Sequence, residues 1–185
     1  FGRAANRFGD GRHITEINIV GDENAVLDLS DVNGTFALPY NWWNVADSAN
    51  TALKCKNITF NGIKSMPSAT YQCVLYSTTY ELDGCTFKAP DNETTYAFMS
   101  QGLGGTITLD NNKIYGYTRG INLQRETADF IVTNNTIESG VSEPDRGAVQ
   151  ITDGKSFVVT GNTIDVNGGN AFWFHSAAKN SNATY

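Results

Sequence analysis

The chain has 185 residues, 40% hydrophobic and 17% charged, which suits one domain with a buried core and excludes a disordered tail. Its 18 Gly stand beside only 4 Pro, so it is neither collagenous nor a proline-rich linker. A net charge of −6 is the wrong sign for a general nucleic-acid binder, and the longest apolar runs fall far short of a bilayer span.

Residues 1–14 form an N-terminal extension. They hold Arg3, Arg7, Arg12 and His13, with neither the apolar core of a signal peptide nor the amphipathic pattern of a capping helix. The acidic, Asn/Thr-rich composition points to an extracellular or cell-surface location. Sequons at Asn33, Asn57, Asn92, Asn134 and Asn182 are expected by chance in such a composition and carry little weight.

From residue 58 onward the chain repeats. The stretches Ile58–Ser65, Tyr80–Phe87, Ile107–Ile114, Phe130–Ile137 and Phe157–Ile164 align, at spacings of 22, 27, 23 and 27 residues. Positions 1 and 3 of each are apolar, as in a strand with one face inward. Position 5 is Gly62, Gly84, Asn111, Asn134 or Gly161, the two residue types that best tolerate a left-handed corner. Position 6 is Asn112, Asn135 and Asn162 in three consecutive copies, which predicts a hydrogen-bonded column. Position 8 is apolar except at Ser65. A weaker strand is predicted in each period, at Cys73–Tyr76, Ala97–Ser100, Gly120–Leu123, Ala148–Ile151 and Ala171–Phe174. About three short strands per period, with their edges paired between periods, describe a solenoid.

Cys55, Cys73 and Cys85 are an odd number without a CxxC pair, and read as buried small hydrophobes; one disulfide with a spare thiol is the alternative. No HExxH, GxSxG, P-loop or EF-hand pattern occurs, and Gly102-Leu-Gly-Gly105 reads as a corner.

With Asn134-Asn-Thr-Ile137 and Gly161-Asn-Thr-Ile164 in this context, the chain resembles the right-handed parallel β-helix, pectate-lyase-like superfamily. Ile17–Leu29 looks like the first coil of such proteins. The resemblance implies an all-β, single-stranded right-handed parallel β-helix of about seven coils over residues 15–185; the uncapped start, and the repeat spacing that places another coil near Thr184, lead us to expect a section of a longer solenoid.

The fold hosts many activities. Polysaccharide cleavage is the one that the resemblance most readily implies. The polygalacturonase-type pattern of clustered Asp with Gly-His-Gly is absent. A lyase of this superfamily uses an Arg or Lys base near carboxylates, often with calcium. Arg119 and Arg146, 27 residues apart, are expected to stack on adjacent coils, with Asp145, Glu143 and Glu126 in nearby turns. A solvated turn with Arg–carboxylate pairs is the structural alternative. No D-x-D-x-D-G spacing occurs, so no metal or other cofactor is expected outside the lyase reading.

For ligand binding, Trp173 and His175 lie on the last coil, and Trp42 and Trp43 in the excursion Tyr40–Asn44. If Phe172 and Phe174 are core, alternation turns Trp173 outward, where it suits the apolar face of a sugar. The first reading is therefore a glycan-binding module, resembling adhesin-like surface proteins of bacteria and archaea. A lyase for uronic-acid polymers is the alternative, and a stalk of a larger surface or phage-tail protein the third. Expected partners are a polysaccharide or cell-surface glycan and further coils of a longer chain.

Overall fold

The structure, a computed structural model, describes residues 16–22, 24–28, 30, 52–62, 74–75, 79–90, 96–100, 105–124, 128–141, 143 and 145–174. Its strands form three parallel sheets wound as one solenoid. The first face stacks β1 (Glu16–Val20), β3 (Ala52–Lys56), β6 (Thr79–Asp83), β9 (Gly105–Asp110), β12 (Ala128–Thr133) and β15 (Ser156–Thr160). The second stacks β2 (Val26–Asp28), β4 (Thr59–Asn61), β7 (Thr86–Lys88), β10 (Lys113–Tyr117), β13 (Thr136–Ser139) and β16 (Thr163–Val166). The third stacks β5 (Val74–Leu75), β8 (Tyr96–Ser100), β11 (Gly120–Gln124), β14 (Gly147–Asp153) and β17 (Asn170–Phe174).

Two faces of six strands and one of five make six coils among the described residues, where about seven were expected. Residues 175–185, which follow the last strand, lie outside the described residues. The first repeat is also corrected. Leu53 pairs with Tyr80 and Cys55 with Leu82, so the true copy is Leu53–Phe60, five residues before the expected start at Ile58. With that shift, position 8 is Phe60, and the apparent exception at Ser65 vanishes.

The corner position is then Asn57, Gly84, Asn111, Asn134 and Gly161, with φ of 55°, 63°, 54°, 56° and 69°. A left-handed backbone costs most L residues energy, which is why only Asn and Gly occupy this column. The first four of these residues donate a backbone N–H to a carbonyl of the next coil, Asn57 to Asp83 and Asn111 to Thr133 at 3.0 Å for example. The turn thereby keeps its buried polar groups paired.

One residue on, the asparagine column forms a ladder. Asn135 Oδ1 accepts from the backbone N–H of Asn112 at 2.9 Å and from its Nδ2 at 3.0 Å. Asn162 Oδ1 does the same for Asn135, at 2.9 Å in both cases. Each Nδ2 also donates to a carbonyl of the previous coil, those of Leu82, Leu109 and Val132, all at 2.8 Å. Cys85, one coil earlier in this column, donates its N–H to Asn112 Oδ1 at 2.9 Å.

Inward positions fill the solenoid. Coil four contributes Ile107, Leu109, Ile114, Tyr117, Ile121 and Leu123, all buried. Like residues stack between coils: Phe60 on Phe87 at 5.1 Å and Phe130 on Phe157 at 5.2 Å, both as stacked rings. Cys55 and Cys85 are buried thiols in this core, as expected, while Cys73 lies outside the described residues. Burial pushes the Cys55 thiol up to about 12 and raises that of Cys85, so both behave as small hydrophobes.

Candidate functional site

Alternation decides which side chains the third face presents. Val149 pairs with Phe172 and Ile151 with Phe174, and both Val149 and Ile151 are core. Phe172 packs on that core, and Phe174, at the end of the stack, remains 45% exposed. Trp173 therefore points away from the core, in register with Gln150, which is in turn in register with Asn122 and then Met99. The outward column of the third face thus runs Asn122, Gln150, Trp173 across three coils.

Two arginines flank this column at the corner leading from the second face to the third. Arg119 and Arg146 lie at this corner on adjacent coils, and two residues on from Arg119 the offset between the coils is 28, with Ile121 opposite Val149. Each guanidinium takes its own partners. Arg119 reaches Glu143 through Nε at 3.3 Å and Nη2 at 3.2 Å, and donates from Nη1 to the Tyr96 hydroxyl at 3.1 Å. Arg146 pairs with Asp145 at 2.9 Å, and its guanidinium carbon lies 5.0 Å from the centroid of the Trp173 ring. Arg119 stands over Tyr96 in the same way, at 5.9 Å.

The carboxylates arrive on one loop. Two residues separate β10 from β11, but seven, 140–146, separate β13 from β14. Val141 buries this loop against the core, and Gly140 N–H anchors it to the Tyr117 carbonyl at 2.9 Å. Glu143 and Asp145 are carried outward beside the two arginines. Burial works against the charge of Arg119, but the Tyr96 hydrogen bond and the Glu143 carboxylate outweigh it and raise its pKa above the ordinary arginine value. A guanidinium held in this state keeps its proton.

Tyr96 ties three coils together. It lies on the coil before Asn122, and its hydroxyl donates to Gln150 Oε1, on the coil after Asn122, at 3.1 Å. Its ring spans the coil that carries Asn122. Asn122 itself is 4% exposed, and its Oδ1 is a buried acceptor without a hydrogen-bond partner.

Of the residues that the sequence suggested, the structure gathers Arg119, Arg146, Glu143, Asp145 and Trp173 along one edge. Trp42, Trp43, His175 and Glu126 lie outside the described residues. Sequence reasoning missed Tyr96, Asn122 and Gln150. Asn122 and Gln150 could have been found by carrying the alternation argument for Trp173 back along its column; the reach of Tyr96 over 54 residues leaves no local signal. Among the described residues, no group of three or more His, Cys, Asp or Glu is placed to hold a metal ion. Among them too, no helix is long and apolar enough to cross a membrane.

The fold and this edge define a parallel β-solenoid with one decorated face. A family model for the right-handed beta helix region matches residues 44–185, and the chain belongs to that family. No curated protein and no solved structure matches the chain.

Proposed function

We propose that this β-helix is a secreted or cell-surface module that binds a polysaccharide or cell-surface glycan along its third face. The observation that carries this reading is the pairing of each arginine with an outward aromatic ring, Arg119 with Tyr96 and Arg146 with Trp173, along a single edge. Rings held by guanidinium groups are flat, apolar on their faces and ready-made at low entropic cost, which is what a sugar ring stacks on. Tyr96 and Trp173 sit three coils apart, a span of about 14 Å at about 4.8 Å per coil. That suits an extended chain better than a compact small molecule. The lyase reading is less favoured, because Arg119, one of its two candidate bases, is held in its protonated form by the Tyr96 hydroxyl and the Glu143 carboxylate. The stalk reading leaves the edge without a role.

Retention on a broad panel of immobilised glycans tests the proposal. The wild-type chain should be retained, and Trp173→Ala should lose about tenfold or more in affinity. A wild type that no glycan retains would sink the reading and leave the stalk.

A further inference from the structure

We infer that the buried amide of Asn122 is a subsite for a sugar hydroxyl, and that the glycan taken by the third face is neutral rather than a uronic-acid polymer. This rests on the glycan-binding reading above and adds the chemical class of the ligand.

The first ground is the orphaned acceptor. Asn122 is 4% exposed, and its Oδ1 has no hydrogen-bond partner. Buried polar groups in folded proteins are nearly always paired, so an unpaired one in the middle of a candidate site marks where a ligand group or water belongs. Its place is central. Asn122 stands next to Gln150 and two steps from Trp173 in one column.

The second ground is charge. Both arginines of the edge are already matched, Arg119 by Glu143 and Arg146 by Asp145. A uronate carboxylate would have to displace one of these partners and would bring its own charge to a half-buried surface. It also cannot donate to Asn122 Oδ1, since an ionised carboxylate only accepts. A hydroxyl both donates and accepts, so it satisfies this amide, and it can replace the Tyr96 hydroxyl as donor to Gln150 Oε1. Access requires the Tyr96 hydroxyl to release Gln150 while Arg119 keeps its hold on the ring. The phenol then exchanges its bond to Gln150 for one to water or to ligand.

The test uses the full chain, immobilised neutral glycans (β-glucan, mannan, xylan) and acidic ones (polygalacturonate, alginate), at low and at high salt. Neutral glycans should be retained equally at both salt concentrations. Asn122→Val, which suits a strand, should lose about tenfold in affinity while keeping a cooperative melt. Where Val prevents folding, Asn122→Ser, too short to reach the same hydroxyl, should show a comparable loss. A folded variant that binds neutral glycans as tightly as wild type would overturn the inference, the amide then holding only a trapped water. Retention of acidic glycans alone, released by salt, would overturn the ligand class while leaving glycan binding intact. Retention of nothing would remove the glycan reading and this inference together.

Discussion

Asn135 is the residue on which the most backbone pairing converges. Its side chain accepts two hydrogen bonds from Asn112 and donates to Leu109 O and Asn162 Oδ1, while being 1% exposed. Truncation would strand the buried N–H of Asn112 and take a donor from the Leu109 carbonyl, both on the preceding coil. Each such orphan costs about 1–3 kcal/mol, so Asn135→Ala should destabilise the fold by about 2–4 kcal/mol in urea unfolding. Asn162→Ala, on a less buried coil, should cost less. Equal and small losses at both positions would mean that the ladder contributes little. The ladder was legible in the sequence because the same residue recurs at the same position in three copies. Asn122 was not. A lone Asn between Ile121 and Leu123 reads as an ordinary outward strand residue, and nothing local announces that it is buried and unpaired.

At the scale of strands, legibility followed how much the corner chemistry repeated. Four of the five aligned stretches have the expected register. The first was misplaced because Ile58-Thr-Phe-Asn-Gly62 imitates the pattern: Gly62 also sits at positive φ, at 81°, on a different corner. The true copy is camouflaged by Cys55 at an inward position and by Ile58 where later coils carry the ladder residue. The third-face strands were found, yet their meeting with the corner loop was not, since loop 140–146 acts through contacts between coils. Gly147 fixes that meeting. A Cβ there would lie 2.6 Å from the Trp173 backbone nitrogen and 2.9 Å from its Cβ. Gly147→Ala should therefore push β17 off β14, at a cost of about 1–3 kcal/mol. Trp173 should become wetter, which a red-shifted emission would report in a Trp42→Phe, Trp43→Phe background. An unchanged emission and melting midpoint would show that the two strands tolerate the side chain.

For the whole molecule, the physics is that of a stack in which each coil touches chiefly its neighbours, the Tyr96–Gln150 bond reaching one coil further. The core residues, the corner column and the ladder all recur with the coil, so coils should be exchangeable as long as phase is kept. Asn111 and Asn134 occupy the same corner in successive coils. Deleting 112–134 joins Asn111 to Asn135 and recreates the corner–ladder pair of an uncut coil. This chain should keep a β-type far-ultraviolet spectrum and a single cooperative melt, at a lower midpoint for having lost one coil and one interface. Deleting 112–123 instead removes β10 and nearly all of β11 but leaves β12, so the first face follows directly on itself. Inward and outward positions then no longer coincide across the junction. That chain should lose cooperative unfolding and aggregate. If the in-phase deletion collapses as completely as the out-of-phase one, the coils are not interchangeable units, and the stability of this solenoid must depend on contacts that span more than neighbouring coils.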